Sequence, residues 1–398
     1  MMVDREDPRR PSGSEPHVAR SPGPPELTVL ANISAIDHIA DEWRTLAAGS
    51  ARTPFESPDW LLPWWAHFAR GAAPRVLAWF HGGSLVGVAP LLVRRQRRFR
   101  LWLREIAFWG SAGPLLRGYV DLVAMDRFRA DLESSLVAWL GRAEDPWDIV
   151  SMLRLPAGST TGPAVMAWAR ARGLARVSLS GVVRSTTHVL ALPGSIDAWR
   201  RQKGRKVRHN LRREVRLFER HKGGRIQLVT DPSETARLVD ALSNLMARRW
   251  GEAEAYFGPD PRFRAFITDA ASRMTASRMA YWHIAQDDDG VKAVLLTLAL
   301  DGRAVATLIG VDRSPAYAPF SLGKNLLDAA IEEAIARDCR LFDFLWVGDY
   351  KHSYWRAQPE DLASLTVGRG FRGWAAIAPL WLAGTGRRRP EVPRRDTE

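Results

Sequence analysis

The sequence lacks most of the patterns that mark metal, nucleophile and nucleotide sites. Its 398 residues include one cysteine, Cys339, which cannot form an internal disulfide and fits a reducing compartment. The nine histidines are scattered, without an HxxxH or HExxH pair, and neither a GxSxG elbow nor a Walker phosphate loop occurs. We therefore expect no metal, and no nucleotide site of the Walker type.

Long apolar runs are also scarce. Residues 1–26 are polar and rich in Pro, Gly, Ser and Arg, which predicts a disordered tail and no secretory signal. The late apolar stretch 374–383 is interrupted by Pro379 and has about half the roughly 20 residues of a membrane-spanning helix. We predict no transmembrane segment and a cytoplasmic location. The C-terminal tail, 373–398, either packs as a terminal segment or makes peripheral membrane contact through the arginines at 387–389.

Positive charge is abundant and unevenly distributed. The chain has 57 Lys and Arg against 44 Asp and Glu, a formal charge of +13. Eleven of these cations and two glutamates fall in 200–222, inside one long predicted helix over 195–222. Three uses compete: contact with phosphates of RNA or a CoA-like ligand, contact with an anionic membrane, and simple solvation. Nucleic acid is the less favoured partner, because no stacking aromatics interleave the charges.

The order of predicted elements indicates an α+β fold with mixed α/β sheets. Strand and helix patterns over 27–180 recur in a comparable order over 181–372, which predicts two structurally related domains. Asp301-Gly302, between two β-rich runs, is a strong signal for a two-residue hairpin. Ser57 followed by Pro58 predicts the start of an aromatic-rich helix.

The second half contains a candidate anion site. A predicted strand ending at Val311 leads through a loop into a helix over 321–336. Because a helix N-terminus presents unpaired N–H groups and partial positive charge, it can receive a pyrophosphate. The candidate residues are Val311, Ser321, Leu322, Gly323, Lys324 and Asn325. On local evidence, Ser321 acting only as a cap, with Lys324 solvated, is an equal alternative.

Polar residues follow the next predicted strand, 340–346. Asp343 alternates with Phe342 and Phe344, so we expect it on the opposite face, with Lys351, Arg249 or the backbone as a partner if it is buried. Structural anchoring and catalysis are both open for Asp343. Tyr350 and Lys351 lie just beyond the strand, where loops converge on ligands in α/β sheets.

Four motifs together resemble the CelD-like branch of the GNAT acyltransferase superfamily, which is related to the Fem-type aminoacyltransferases. They are TPFESPDW at 53–60, LVGVAPL at 85–91, KVRHNLRR at 206–213, and FDFL at 342–345 with Tyr350-Lys351. The resemblance covers roughly 30–370 and implies tandem GNAT-like domains. The second domain would bind an acyl-CoA, and the first, without cofactor, would shape the acceptor cleft. Of the family's pyrophosphate loop only Gly323 agrees, since Phe320 and Asn325 depart from it.

The implied chemistry is acyl transfer from a thioester to an amine. A backbone N–H in 307–311 would polarise the carbonyl, Asp343 or Asp349 would deprotonate the amine, and Tyr350 or Tyr281 would protonate the thiolate. The residues expected to contact the acceptor are Arg208, Asn210, Trp250 and Lys351.

Three functional hypotheses follow. The first is an N-acyltransferase that uses acetyl-CoA or another acyl-CoA on an amine of a small molecule or of a polysaccharide or cell-envelope precursor. The second is a Fem-like transferase that draws its aminoacyl group from tRNA. The third is a non-catalytic GNAT scaffold that binds a polyanion or a partner protein.

Overall fold

A computed structural model describes residues 23–98, 100–111, 118–142, 146–179, 186–250, 260–345 and 354–385. The side chains of 249–250 and 381–385 are outside the description. Most of the predicted N-terminal tail therefore lies outside the described residues. So do three predicted functional residues: Asp349, Tyr350 and Lys351.

The first half of the chain forms one mixed sheet with helices on both faces. Its strands are β1 (Glu26–Leu30), β2 (Ala72–His81), β3 (Ser84–Arg98), β4 (Leu101–Phe108), β5 (Val123–Ala124), β6 (Ile149–Leu155) and β7 (Ala175–Ser178). Its helices are α1 (Ile33–His38), α2 (Ala40–Ser50), α3 (Pro58–Phe68), α4 (Arg129–Gly141) and α5 (Thr161–Ala171). As predicted, Ser57 caps α3: its Oγ accepts the Asp59 N–H at 3.2 Å.

The second half forms a second mixed sheet. Its strands are β8 (Thr186–Ala191), β9 (Arg225–Val229), β10 (Ala280–Asp287), β11 (Gly290–Leu300), β12 (Arg303–Val311), β13 (Leu341–Asp343) and β14 (Gln358–Asp361). Its helices are α6 (Ile196–Gln202), α7 (Arg205–Lys222), α8 (Thr235–Trp250), α9 (Pro261–Ala276) and α10 (Leu322–Ala336). The last elements of the chain, β15 (Ala363–Gly368) and α11 (Gly370–Thr385), return to the first sheet.

The two sheets have the same strand order and directions. The first runs β1-β2-β3-β4-β6-β15-β7 and the second β9-β10-β11-β12-β13-β8-β14. In both sheets the fourth and fifth strands are parallel to each other, and every other neighbouring pair in this order is antiparallel. The sixth position is exchanged: β15 comes from the C-terminal end of the chain, and β8 precedes every other strand of the second sheet. The halves are thus tandem copies of one α+β fold. The sixth strand of the first copy comes from beyond the second sheet in sequence, whereas that of the second copy comes before its other strands.

This exchange changes the predicted domain limits. The boundary at 180/181 falls between the sheets, but the end at 372 does not, because β15 pairs with β6 and β7. The expected tail from 373 is part of α11, which packs on β15 and β7. β15 belongs to the first sheet because it pairs with a strand about 190 residues earlier. A local sequence pattern does not predict such long-range pairing.

The predicted helix over 195–222 is in fact two helices. α6 ends at Gln202 and α7 begins at Arg205, with Gly204 at the α7 N-cap position. Lys203 at the break donates to Asp328 of α10 at 2.5 Å. The predicted hairpin is confirmed, since Asp301 and Gly302 adopt φ of 46° and 74° between β11 and β12.

The halves share one hydrophobic core. It extends from Val88 in β3 to Val305 and Leu308 in β12. Helix α3 packs on α9 at the boundary, where the Trp60 and Phe266 rings meet edge to face at 4.9 Å. A buried aromatic junction of this kind predicts that the two halves unfold together.

Gly373 allows α11 to lie directly against backbone. A Cβ at this position would lie 2.3 Å from the Asp148 carbonyl oxygen. We expect Gly373→Ala to lower the free energy of unfolding by about 1–3 kcal/mol, because backbone must move apart. Gly49→Ala in α2, where a Cβ meets open space, should instead raise it by about 0.4–1 kcal/mol. Equal urea midpoints for the two variants would contradict this account of the packing.

Candidate active site

The second sheet has an opening between β12 and β13, where these two neighbouring strands separate. Strands β12 and β13 are parallel and pair over three rungs, the last of which is Val305↔Asp343. β12 then continues for six residues to Val311. The chain after Asp343 stays with β8 instead, because the Phe344 N–H donates to the His188 carbonyl at 2.9 Å. Among the described residues no strand pairs with this edge of β12 beyond Val305.

A bulge lies where the opening begins. On the other edge of β12, Ala306 pairs with Thr297 and Leu308 with Leu296, so Thr307 is the extra residue. Bulges twist a strand and redirect its main-chain groups, and they are frequent beside active sites. The sequence predicted a carbonyl-polarising N–H in 307–311, and the structure places this segment on the free edge.

Helix α10 begins at the far end of the same opening. Gly323 in its first turn approaches β12 so closely that a Cβ there would lie 3.0 Å from Val311 Cγ2. Ser321 before the helix is left-handed, with φ of 47°, and its side chain makes no cap bond. The alternative that Ser321 is an ordinary side-chain cap is therefore not supported. The first-turn N–H groups carry the partial positive charge of a helix N-terminus.

Lys324 and Asn325 are held by the basic helix. Lys324 Nζ lies 2.9 Å from Glu214 Oε1 of α7, and it also lies over the Tyr354 ring at 5.4 Å. Asn325 Nδ2 donates to the Phe320 carbonyl at 3.0 Å and to Glu214 Oε2 at 3.3 Å. The Lys324 charge is thus balanced by a carboxylate, and Asn325 fixes the loop before α10.

Asp343 lies on the opposite face from Phe342 and Phe344, as predicted, and is fully buried. Its carboxylate accepts hydrogen bonds from the Tyr119 and Thr187 hydroxyls and from the Leu345 N–H at 2.8 Å. Arg303 Nη1 completes an ion pair at 3.0 Å. The backbone partner was predicted, whereas Arg303, Tyr119 and Thr187 were not. Of the two open roles, this geometry favours structural anchoring.

Tyr119 joins this cluster from the first half. Its ring is fully buried, and burial, reinforced by the Asp343 charge, raises the pKa of its hydroxyl well above the ordinary value. Asp343 and Arg303 belong to the last and first paired rungs of β12 and β13. The cluster therefore fixes the point at which these strands separate and ties it to the first domain.

Tyr281 has no exposed surface, and its hydroxyl donates to the Ala330 carbonyl at 3.2 Å. Burial raises the pKa of this hydroxyl well above its ordinary value. His283, two residues on, is also buried, which lowers its pKa to about 4. Tyr281 is therefore enclosed between β10 and α10, an arrangement that does not favour its predicted role as proton donor.

The predicted acceptor residues are only partly brought together. Arg208 and Asn210 are half-buried on α7, where Arg208 Nη1 donates to the Arg200 carbonyl at 3.1 Å. Trp250 ends α8, and its side chain is outside the description. Residues 346–353 are also outside it, but the described residues on both sides, Leu345 and Tyr354, border the opening.

A pair of buried acids that the sequence interpretation missed lies in the first half. Glu56, from the segment that contacts β11 and β12, accepts N–H bonds from Arg52 at 2.7 Å and Asp121 at 3.1 Å. Burial and the nearby Asp121 charge raise the pKa of Glu56 to about 8. The signal was available in the motif at 53–60, where Glu56 directly follows the apolar pair Pro54-Phe55.

A family model for an acetyltransferase (GNAT) domain matches residues 205–354, from the start of α7 to the far side of the opening. This segment is a GNAT acyltransferase domain. The predicted superfamily and enzyme class are confirmed, and the matched residues contain the β12–β13 opening and α10. No curated protein matches the sequence.

Comparison with solved structures supports the whole-chain fold. FemX superposes with a TM-score of 0.58 at 10% identity, covering 90% of this chain and 99% of FemX. A conserved protein of unknown function from Bacteroides thetaiotaomicron gives 0.50 at 11% identity, over 87% and 100%. A tandem GNAT protein from the clavulanic acid biosynthesis pathway gives 0.42 at 17% identity, over 86% and 98%. The first two show that the chain shares its fold, over most of its length, with FemX and with this conserved protein.

Two features are absent from the described residues. None of the helices in this part of the chain is long and apolar enough to cross a membrane. No group of three or more His, Cys, Asp or Glu side chains within it could hold a metal ion.

Proposed function

We propose that the protein is an acyl-CoA-dependent N-acyltransferase with its donor site between β12 and β13. The observation that carries this proposal is the edge of β12 beyond Val305, six residues long, which no strand of the described chain pairs with and which the N-terminus of α10 borders. An extended amide-containing chain can pair with such an edge as an added strand does. The helix N-terminus then lies where a diphosphate is stabilised. Both features match a pantetheine arm that ends in a pyrophosphate.

Within its described residues, the first half offers no comparable edge. Its parallel pair, β4 and β6, shares its last rung at Ala107↔Ser151, and β4 ends one residue later at Phe108. The next residue, Trp109, is fully buried and donates from Nε1 to the Leu91 carbonyl at 2.9 Å. This difference supports a single donor site, in the second domain.

The proposed reaction needs no covalent enzyme intermediate. The amine nitrogen attacks the thioester carbon, an N–H in 307–311 stabilises the oxyanion, and the C–S bond breaks as the thiolate takes a proton. Asp343 acts as a positioning residue in this scheme, since its oxygens are occupied by protein donors. Asp349 and Tyr350 remain the proposed base and acid, and Lys351 a proposed acceptor contact. The proposed acceptor is an amine of a small molecule or of a polysaccharide or cell-envelope precursor, as the CelD-like resemblance implies.

A thermal shift assay tests the donor class directly. Binding to the native state alone stabilises it by about 2.7 kcal/mol when ligand is at 100 times its Kd. We expect free CoA, acetyl-CoA and longer acyl-CoAs to raise Tm, and adenosine alone to have little effect. If no CoA derivative shifts Tm, the donor assignment fails.

The Lys324–Glu214 pair provides a sharper prediction. In Glu214→Gln, Lys324 loses its balancing carboxylate, so the α10 N-terminus becomes more positive. We expect CoA affinity to rise about fivefold at low salt, equivalent to about 1 kcal/mol. Glu332→Gln is the matched control. Glu332 lies farther along α10, away from its N-terminus, and pairs with Arg200 of α6. Unchanged affinity in Glu214→Gln would place the diphosphate elsewhere.

A second candidate function rests on helix α7. Its outer face exposes six cations without a described carboxylate partner: Arg205, Lys206, Arg212, Arg213, Arg216 and Arg220. Such a stripe suits the phosphates of tRNA and would serve a Fem-like aminoacyl transfer. In that case tRNA binding should weaken steeply with salt, and Arg212→Gln with Arg213→Gln should flatten the salt dependence by about two units of slope. If neither CoA nor tRNA binds, the third hypothesis remains, a scaffold without catalysis.

A further inference from the structure

Large apolar side chains are exposed at one end of the first domain. The described residues expose five such side chains, and three of them are Trp102 at 55%, Phe371 at 80% and Trp374 at 48%. The other two, Val29 and Leu228, lie on β1 and β9. We call Trp102, Phe371 and Trp374 the aromatic end.

Contacts join its members. Phe371 and Trp374 stack in the first turns of α11, with ring centroids 6.3 Å apart. Arg372, between them, donates from Nη2 to the Trp102 carbonyl at 2.6 Å, which links α11 to the tip of the β3–β4 hairpin. The close packing of Gly373 fixes this helix on the sheet. The aromatic end is therefore built on rigid elements, although its side chains lie in water.

Exposed arginines surround these rings. In the hairpin, Arg97 pairs with Trp102 and Arg95 with Arg104, so all four side chains lie on one exposed face. Arg369 and Arg372 stand at the start of α11 and are also exposed. None of the five arginines forms an ion pair with a carboxylate of the described chain. The aromatic end thus combines apolar area with uncompensated positive charge.

We propose that the aromatic end binds the surface of an anionic phospholipid bilayer. Trp and Phe side chains favour the boundary between headgroups and acyl chains, and adjacent arginines attract anionic headgroups. The inference does not depend on the identity of the acyl donor, since the aromatic end is in the first domain.

The composition of α11 favours a bilayer over RNA. No charged residue occurs in 373–385, and Arg387, Arg388 and Arg389 follow directly in the sequence. An apolar helix with cations before and after it matches an interfacial segment. A single-stranded nucleic acid would require cations along the path of its phosphates, interleaved with the stacking rings.

Vesicle co-sedimentation of the full chain tests the proposal. The probes are phosphatidylcholine vesicles with and without phosphatidylglycerol, at low and high salt. We expect binding to the anionic vesicles that weakens with salt, and a loss of about tenfold or more in Phe371→Ser with Trp374→Ser, because two exposed rings no longer enter the interface. The matched control is Leu228→Ser, which removes an exposed apolar side chain from β9 and should bind like the unaltered protein.

Three results would overturn the proposal. One is failure of the unaltered protein to sediment with anionic vesicles, and another is equal binding by the double variant and Leu228→Ser. The third is that the double substitution abolishes tRNA binding or self-association while vesicle binding persists, which would assign the aromatic end to RNA or to a second copy. Because the substituted side chains are exposed, both variants should keep the circular dichroism spectrum and Tm of the unaltered protein.

Discussion

Replacing Asp343 with alanine is expected to lower the free energy of unfolding by about 3–5 kcal/mol, because it removes the buried carboxylate that pairs with Arg303 and leaves that cation only the more exposed Glu360 carboxylate, 3.5 Å away. The substitution also removes the acceptor of the Tyr119 and Thr187 hydroxyls and of the Leu345 N–H. Urea denaturation followed by tryptophan fluorescence measures the loss. Because Tyr119 comes from the first domain, the variant should also weaken cooperativity between the halves.

The matched control is Asp361→Ala in neighbouring β14. Asp361 is exposed and accepts one hydrogen bond, from the Thr186 hydroxyl at 2.8 Å. Its loss should cost about 1 kcal/mol or less. Should Asp343→Ala prevent folding, Tyr119→Phe and Asp343→Asn, singly and together, supply a double-mutant cycle with a coupling energy above about 1 kcal/mol. A loss as small as that of the control would contradict the anchoring role.

Glu56 should make stability fall as pH rises from about 4.5 to about 8. Its pKa is raised from 4.5 to about 8 by burial and then by the Asp121 charge, so the folded state holds a proton that the unfolded state releases. This stabilisation is complete below the pKa that Glu56 has in the unfolded state. It is lost as the pH rises to the pKa that Glu56 has in the folded state. Over that interval the expected slope is about −1.4 kcal/mol per pH unit.

Unfolding free energies of Glu56→Gln and the unaltered protein, measured by urea denaturation from pH 5 to 9, test this linkage. The substituted glutamine does not titrate, so the difference between the two curves should change by about 1.4 kcal/mol per pH unit up to about pH 8 and then level off. Glu219→Gln on the exposed side of α7 removes a carboxylate without burial and should run parallel to the unaltered protein. Parallel curves for Glu56→Gln would contradict a protonated Glu56.

Local patterns predicted the features that local chemistry determines. Asp301-Gly302 required positive φ at both turn positions, and the structure has it. The alternation of Asp343 with Phe342 and Phe344 correctly placed the carboxylate on the other face. The break in the predicted helix over 195–222 was also accessible, because Gly204 is a poor helix interior residue.

Long-range pairing explains what the sequence did not disclose. β8 and β15 exchange sheets, and each is six residues long with neighbours far away in the chain. The side-chain partners of Asp343 are Tyr119, Thr187 and Arg303, none of which is close to it in sequence. Lys324 was interpreted either as part of the anion site or as solvated, and the carboxylate that balances its charge comes from α7, 110 residues earlier.

The exchange has a functional implication for the proposed enzyme. β8 lies beside β13 and so forms one wall of the opening, although it precedes every other strand of the second sheet in sequence. The Asp343 cluster adds Tyr119 from the first domain to the same wall. A shortened chain that begins at β9 would therefore lack part of the proposed donor site, so binding and activity have to be measured on the full chain.

Amide hydrogen exchange of the full chain with and without acetyl-CoA tests the central claim most directly. A donor paired with the free edge of β12 should slow exchange in peptides that cover 306–311 and the first turn of α10, and leave β4 and Trp109 unchanged. Slower exchange confined to other segments, or no change at saturating acetyl-CoA, would contradict a thioester carrier between β12 and β13.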